Sequence, residues 1–325
     1  MSISELRQDI GIRLVDFAWG QWAQMGLLVD SERSDNWSAD PEALLLLSFE
    51  LGRDEPRLFE EVLDWLSVNE RLVSVQRLRN LALDDEDRAL VGAVVDWVSR
   101  SRKPTKAVIS KPGEEPPEAF FRNLRVDVSE PDPAFLAHGF LKQRTDPDRR
   151  SGSPNLASPI NFAFRMRSLL GVGARAEVMR VLLGEMAPRL SAQAIAASTA
   201  YAKRNVQEAL TSLRLAEVIA STTLGNEQRF EPPRQRWAQL LELEQFPMHV
   251  DWAQHFHALR LLLRWLRETE SKELTEYMLG SEARALLERI APDLLFAGVR
   301  FDAGGPSGAA YWEHFAQLAS HLPPR

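Results

Sequence analysis

The sequence predicts a mainly α-helical protein, in which multi-helical N- and C-terminal domains flank a compact unit of short helices and one β-hairpin. Three observations lead to this expectation. Apolar residues recur at helical spacing over most of the 325 residues. Residues 190–241 place a short helix, a second amphipathic helix and two short extended runs in close succession. Gly225 and Asn226, which lie between the two runs, are typical of a two-residue hairpin turn.

Residues 1–100 are expected to form a helical N-terminal domain. Apolar side chains recur every three or four positions between residues 3 and 25, which predicts a first helix. A second helix is predicted to begin with Asp40 as its N-cap and Pro41 at its first position. Further helices are predicted over residues 56–67, 73–83 and 87–100. The short helices between residues 41 and 83 could form a degenerate helix-turn-helix, although ordinary helix packing is the favoured interpretation.

Residues 101–158 form a proline-rich connecting segment. Prolines interrupt any long helix because each lacks a backbone donor and fixes φ. Those concerned are Pro104, Pro112, Pro116, Pro117, Pro131, Pro133, Pro147 and Pro154. Short extended pieces are predicted over residues 107–110 and 124–128, and a helix over 134–142. Residues 145–158 have the composition of an exposed linker, so the main domain boundary is placed there.

Residues 159–241 hold the unit of greatest functional interest. Helices are predicted over residues 161–170, 174–183, 191–197 and 202–215, and strands over 218–222 and 228–230. In the helix over 202–215, Val206, Leu210 and Leu213 fall on one side and polar residues on the other. A recognition helix needs this division, because one face must be anchored while the other presents donors and acceptors to base edges.

Residues 242–325 are predicted to form a helical C-terminal domain. The segment 255–268 is strongly amphipathic, and further helices are predicted over residues 282–290 and 311–321. A glycine-rich stretch over 302–308 is expected to be a surface loop.

Charge is distributed unevenly along the chain. The formal net charge is −7, yet residues 159–237 contain eleven Lys and Arg against six Asp and Glu. A basic segment between acidic flanks suits a surface that contacts phosphates. The absence of cysteine excludes disulfides, cysteine-ligated metal sites and a thiol nucleophile. With no targeting signal and no apolar run near the ~20 residues of a bilayer span, a cytoplasmic protein without membrane association is expected.

The segment 161–241 resembles the winged helix-turn-helix of MarR/ArsR-type transcriptional regulators. The resemblance depends on Leu-Thr-Ser-Leu at 210–213, on Ala-Glu-Val-Ile at 216–219, and on Gly-Asn-Glu-Gln-Arg-Phe at 225–230, which matches the wing tip and its return strand. It implies dimeric binding to a pseudo-palindromic operator. One departure is Glu217, which stands where the family usually has a glycine before the wing, so the turn there must form without a residue that adopts positive φ freely.

The candidate site residues follow from this reading. Most lie on the second helix of the motif and would face the major groove: Lys203, Arg204, Asn205, Gln207, Thr211 and Arg214. Arg204 could pair with guanine and Gln207 with adenine. Asn226 and Arg229 would contact the backbone or the minor groove from the wing. Arg165, Arg167 and Arg175 are predicted to add phosphate contacts.

The preferred function is sequence-specific binding of double-stranded DNA by a transcriptional regulator, with no enzyme activity and no cofactor expected. The homodimer is an expectation carried by the resemblance. The alternative is a protein-interaction or antitoxin-like module that uses the winged helix as a scaffold and the acidic helical domains as partner surfaces. An enzyme site in the flanking domains has no motif behind it.

Three other clusters have simpler interpretations than a functional site. His249, Asp251, His255 and His257 lie close in sequence, but their spacing does not make them converge on a metal, so structural or surface roles are favoured. The Gly171 to Glu177 stretch lacks the lysine ending and preceding strand of a phosphate loop and is predicted to join two helices. The acidic run from Asp84 to Asp87 is predicted to be a solvated helix start.

Overall fold

The computed structural model describes residues 1–29, 35–102, 116–124, 127–187, 189–301 and 304–324. Most of them lie in α-helices, and the strands form two small sheets, so the mainly α-helical class is confirmed. Within the described ranges, no helix combines the length and the apolar content that crossing a membrane requires.

Five helices form the N-terminal part. They are α1 (Ile3–Gln24), α2 (Pro41–Gly52), α3 (Pro56–Asn69), α4 (Val75–Asn80) and α5 (Asp85–Arg102). Ser2 and Glu5 form a capping box at the start of α1. The Asp40 carboxylate caps α2 by accepting from the backbone N–H of Ala43 at 3.1 Å, as the sequence predicts. The fourth helix is shorter than its predicted range at both ends: Ser74 caps it, so it begins two residues later than expected, and it ends at Asn80, three residues earlier.

Three helices form the C-terminal part: α12 (Trp252–Glu270), α13 (Glu276–Phe296) and α14 (Tyr311–Ala319). Helix α12 packs against both α1 and α2. At this junction the Phe17 ring lies 5.5 Å from Trp252 and 5.9 Å from Phe256, measured between ring centroids. The segments predicted as two separate helical domains therefore share one apolar core, which we call the helical body. Sequence spacing within each segment carries no information about this pairing.

The connecting segment packs onto the helical body. It holds β1 (Glu118–Ala119), α6 (Pro133–Leu136) and β2 (Phe140–Leu141), with β1 and β2 parallel. The predicted helix over 134–142 is thus a single turn followed by a strand. The predicted extended piece over 107–110 lies outside the described residues, and that over 124–128 lies partly outside them.

The stretch predicted as an exposed linker is fastened to α3. The Asp64 carboxylate accepts from the backbone N–H groups of Arg150 and Ser151, each at 3.0 Å, and from the Ser151 hydroxyl at 2.8 Å. A buried carboxylate that receives several donors holds the backbone in one arrangement. This part of the chain is therefore a fixed strap and not a free linker.

The middle unit has a core of its own. Its elements are α7 (Phe162–Leu170), α8 (Ala174–Gly184), β3 (Leu190–Ser191), α9 (Ala192–Thr199), α10 (Lys203–Leu215), β4 (Ala220–Leu224), β5 (Glu227–Glu231) and α11 (Arg234–Leu241). The three strands are antiparallel in the order β3-β5-β4, and β4 and β5 form the predicted hairpin. Met179, Ile195, Val206, Leu210 and Phe230 are among the side chains buried between the helices and this sheet.

The turn between α10 and the hairpin uses Glu217 in place of glycine. Glu217 adopts φ +57°, its N–H donates to the carbonyl of Arg214, and the N–H of Val218 donates to the carbonyl of Leu213. These two bonds and the positive φ make up a Schellman motif, which satisfies carbonyls at the end of a helix. Val218 and Ile219 belong to the connection that follows this turn, so β4 begins at Ala220, two residues later than predicted.

Candidate nucleic-acid interface

Helix α10 divides into a buried face and an exposed face. Val206, Leu210 and Leu213 are at most 3% exposed and pack into the middle unit. Three cations and two uncharged polar residues are exposed to solvent on the opposite side: Lys203, Arg204, Arg214, Gln207 and Thr211. Asn205 is half-buried at the boundary between the two faces. The helix therefore presents a polar surface that neither the helical body nor the hairpin covers.

A groove of about 370 Å³ separates α10 from the hairpin. Lys203, Gln207, Thr211 and Arg214 line one side of it, and Asn226 lines the other. Five of the predicted contact residues therefore share one concave surface. Carboxamides, a hydroxyl and cations supply the donors and acceptors that recognition of base edges and phosphates requires.

Three polar residues that line this groove were not among the predicted contacts: Gln193, Glu227 and Gln228. Gln193 lies at the start of α9 and Gln228 lies on β5, and both line the groove. Gln193 stands two positions after the N-cap Ser191, which accepts from the backbone N–H of Ala194 at 3.2 Å. The predicted cap places Gln193 in the first turn of α9, but nothing in the sequence indicates that this turn faces the groove. Gln228 gave no comparable sequence signal.

The cations of this surface differ in their partners. Lys203, Arg175 and Arg214 make no ion pair with any residue that the structure describes. Arg204 is 87% exposed and its Nε lies 3.0 Å from Glu208 Oε1. Arg229 Nη2 lies 2.7 Å from Glu227 Oε2. Exposed pairs of this kind contribute little free energy. The Arg204 guanidinium can therefore exchange its carboxylate for a phosphate at low cost, whereas Arg229 is half-buried.

A second concavity of about 410 Å³ lies on the other flank of α10. Arg175 and Asn205 line it together with the loop from Gly171 to Gly173, so these two predicted residues stand apart from the groove beside the hairpin. The glycine stretch joins α7 to α8, in agreement with the predicted helix joint.

Thr211 on α10 donates its hydroxyl hydrogen to the Gln207 carbonyl at 2.8 Å. The hydroxyl oxygen of Thr211 can therefore only accept a hydrogen bond from a ligand.

Two of the predicted phosphate contacts are corrected. Arg165 is half-buried, and its guanidinium donates to the carbonyl of Leu241 at the end of α11. Arg167 is only 2% exposed, and its guanidinium is enclosed by Glu42 and Glu177. A buried guanidinium with two carboxylate partners cannot reach a phosphate. Arg167 is therefore a structural residue, and the burial that decides this is invisible in the sequence.

Arg167 belongs to a buried ion network that joins the middle unit to the helical body. The six members, all at most 2% exposed, are Asp40, Glu42, Arg77, Arg167, Glu177 and Arg180. Arg167 Nη2 lies 2.6 Å from Glu42 Oε2 and 2.7 Å from Glu177 Oε1. Arg180 Nε lies 2.9 Å from Glu177 Oε2. Three carboxylates thus balance three guanidiniums, which is the condition under which buried charges are tolerated.

The network also fixes the ionisation of its acids. Burial raises the pKa of Glu177, but the guanidiniums of Arg167 and Arg180 outweigh it and hold that pKa well below the ordinary value. Burial also raises the pKa of Asp40, but the guanidinium of Arg77 outweighs this effect, so the pKa of Asp40 is lowered. Both acids therefore stay charged when the chain is folded.

The turn between α9 and α10 is tied to the helical body. Arg77 Nε donates to the Thr199 carbonyl at 2.8 Å, and Asn80 Nδ2 donates to the Ala200 carbonyl at 3.0 Å. The hydroxyls of Ser74 and Tyr201 are 2.9 Å apart. From α12, Gln254 Nε2 donates to the Ala197 carbonyl at 2.8 Å. The start of α10 is therefore held in a fixed orientation relative to α4 and α12.

The histidines near residue 250 point to different partners. His249 Nε2 lies 3.1 Å from Asp251 Oδ1, and His255 Nε2 lies 2.8 Å from the Leu322 carbonyl. His257 Nδ1 lies 2.7 Å from Asp293 Oδ2. No group of three or more metal-binding side chains is found in the described part of the chain.

The acidic run that begins α5 is not simply solvated. Asp87 is 4% exposed, and its carboxylate receives the guanidiniums of Arg260 and Arg264. Arg264 Nη1 also lies 2.5 Å from Asp84 Oδ2. The run therefore joins α5 to α12, which corrects the predicted solvated start.

Comparisons with protein-family models, with curated proteins and with solved structures found no match to this chain.

Proposed function

We propose that the chain binds double-stranded DNA through a winged helix-turn-helix and acts as a transcriptional regulator. In this proposal α9 and α10 form the helix-turn-helix, and β4 and β5 form the wing. The observation that carries it is the uncovered polar and cationic face of α10 beside a groove that the hairpin completes.

The order of elements supports the proposed motif. A helix, a short strand, two helices joined by a tight turn, and a hairpin follow one another, and the short strand β3 pairs with β5 of the hairpin. The apolar side of α10 is anchored by Val206, Leu210 and Leu213, so the opposite side can enter a major groove about 12 Å wide.

The proposed contacts follow from the chemistry of each side chain. Gln207 and Gln193 can offer paired donors and acceptors to an adenine edge, and Arg204 can pair with guanine after leaving Glu208. Glu208 can then accept from a cytosine amino group. Lys203 and Arg214 flank these readers and suit phosphates, while Asn226 and Arg229 suit the backbone beside the wing.

Selection of bound duplexes from a random-sequence pool tests the proposal directly. We expect an enriched sequence, and a palindrome in it would support the dimer. We also expect affinity to fall steeply as salt rises, because each neutralised phosphate releases counterions. Arg204→Ala should weaken binding to the enriched sequence by about 1–3 kcal/mol if the guanidinium pairs with guanine. A pool without enrichment, together with no salt-dependent binding to any duplex, would reject the proposal.

A protein-interaction role is the second candidate, and two exposed leucines favour it. Leu215 at the end of α10 is 77% exposed, and Leu224 at the tip of the hairpin is 68% exposed. Apolar side chains at such positions suit a protein partner better than a phosphate backbone. Binding to a partner through these leucines would depend weakly on salt, which separates the two candidates in the same titration.

A further inference from the structure

We infer that the DNA-binding surface extends onto the helical body through α4, where Arg79 contacts a backbone phosphate. This inference rests on the proposed function, and it adds a residue from outside the middle unit. From the sequence, residues 41–83 are predicted to pack as ordinary helices, with a degenerate helix-turn-helix as the alternative. In the structure, α4 instead lies beside the start of α10, and we call its exposed residues Gln76, Arg79 and Asn80 the shoulder.

Helix α4 lies directly against the turn that leads into α10. Asn80 Nδ2, at the end of α4, donates to the Ala200 carbonyl at 3.0 Å. Lys203, the first residue of α10, follows Ala200 by three positions. The contact therefore brings the exposed end of α4 next to the cationic start of the proposed recognition helix.

The side chains of α4 separate into an anchoring set and an exposed set. Arg77 and Leu78 are buried, and Arg77 binds both Asp40 and the Thr199 carbonyl. Gln76, Arg79 and Asn80 are exposed. Gln76 and Asn80 are one helical turn apart, so both face the side of α4 that carries the contact with Ala200. Arg79 is three positions after Gln76, so the two exposed side chains are neighbours on the helix surface, and Arg79 makes no ion pair with any residue in the described ranges.

The acidic start of α5 does not cancel the charge of Arg79. All four carboxylates of the run from Asp84 to Asp87 have cationic partners. Asp84 and Asp87 bind Arg264, while Asp85 binds Arg88 and Glu86 binds Arg53. The helical body is acidic overall, but these four carboxylates, which follow α4 closely in the chain, are each paired with an arginine. A phosphate that approaches α4 therefore meets a free guanidinium and two amide side chains.

The rigidity of this junction gives the contact a defined function. Four hydrogen bonds fix residues 197–201 to the helical body, three of them from side chains of α4 and its N-cap. A phosphate contact from Arg79 therefore sets the position of the duplex relative to α10 without any movement of the two parts. Contacts of this kind fix register and orientation and carry no base information.

Three single variants test the inference with a fluorescent random-sequence duplex and a KCl titration followed by anisotropy. Arg79→Ala should bind about threefold to tenfold more weakly, and the slope of log affinity against log salt should fall in magnitude by about 0.9. Arg79→Lys keeps the charge and should retain most of the affinity. Arg289→Ala is the matched control, because Arg289 is an exposed arginine on α13, a helix that packs against α12 and α14.

The outcomes separate this inference from the proposed function. Wild-type binding with an unchanged Arg79→Ala affinity and slope overturns the extension onto α4 and leaves the proposed function standing. Equal losses for Arg79→Ala and Arg289→Ala also overturn it, since they would report only the loss of net charge. A wild-type chain that does not bind the duplex at any salt concentration overturns the proposed function and the extension together. Thermal melting of each variant checks that the fold is retained.

Discussion

Glu217 is an instructive single residue, because it occupies a backbone conformation that side chains disfavour. The proposed resemblance to winged helix-turn-helix sequences predicts a glycine at this position. The structure gives it φ +57° inside a Schellman motif. A non-glycine residue in this region of φ stores strain of about 1–3 kcal/mol in the fold. The sequence located the unusual residue, but only the hydrogen bonds around it reveal which conformation it takes.

Glu217→Gly should therefore stabilise the chain. Removal of the Cβ relieves the strain, while the added freedom of the unfolded chain takes back about 0.4–1 kcal/mol. We expect the free energy of unfolding in urea to rise by about 0.5–1 kcal/mol. Glu217→Ala is the matched control, since alanine keeps the Cβ and should give no comparable gain. Equal stabilities of the glycine and alanine variants would contradict this account.

Glu177 is the residue whose charge holds the network between the two cores together. Glu177→Gln leaves Arg167 and Arg180 without their shared carboxylate in a buried site, which should lower the free energy of unfolding by about 3–5 kcal/mol. Glu208→Gln, at an exposed pair on α10, should change it by less than about 0.5 kcal/mol. Urea unfolding of both variants makes the comparison. A small effect at Glu177 would mean that the network relaxes or admits water.

At the scale of elements, helices were predicted well wherever the signal was local. Helices α7 to α10 of the middle unit are found within two residues of their predicted bounds, because apolar spacing and caps are properties of neighbouring residues, whereas α11 (Arg234–Leu241) was not predicted. Elements that depend on distant partners were not predicted. Strand β3 exists only because Leu190 and Ser191 pair with β5, and β1 exists only because it pairs with β2.

The exposed face of α10 gives a prediction about specificity. Gln207→Ala should weaken binding to the selected operator by about 1–3 kcal/mol and leave binding to a random-sequence duplex unchanged, because a base contact discriminates among sequences and a phosphate contact does not. Gln239→Ala, at an exposed amide on α11, is the control and should affect neither duplex. Electrophoretic titrations on the two duplexes measure both quantities. Parallel losses on both would remove Gln207 from the base-reading set.

At the scale of the whole molecule, the decisive contacts join residues far apart in sequence. Glu42 and Arg167 pair across 125 positions, and Arg264 joins Glu50 across 214. No spacing rule anticipates such pairs, so the sequence suggested two helical domains where there is one core, and a phosphate contact at Arg167 where there is a buried ion pair. The surface of α10 could be predicted because it needs only local amphipathicity.

The buried acids give the molecule a pH dependence of known sign. Burial raises the pKa of Glu50, but Arg264, Arg267 and Arg122 outweigh it and lower the pKa from 4.5 to about 2. The pKa values of Asp40 and Glu177 are also lowered. Acids with depressed pKa values contribute stability that is fully present above their unfolded values and is lost as the pH falls through the folded ones.

The free energy of unfolding should therefore fall steeply below about pH 4 and change little between about pH 5 and 7 on account of these groups. Urea denaturation at several pH values measures the profile. Glu50→Gln should be less stable at neutral pH and should flatten the acid limb. A wild-type profile that is level down to about pH 3 would contradict the assigned ionisation.

The shared core has a consequence for the order in which the chain is made. As synthesis proceeds, α1 to α5 leave the ribosome with the apolar faces that α12 covers still exposed, and α12 emerges only after the whole middle unit. The middle unit carries its own core and can close as soon as α11 has been released. The middle unit would thus complete its fold before the helical body, in which α1 to α5 keep apolar faces exposed until α12 has been synthesised.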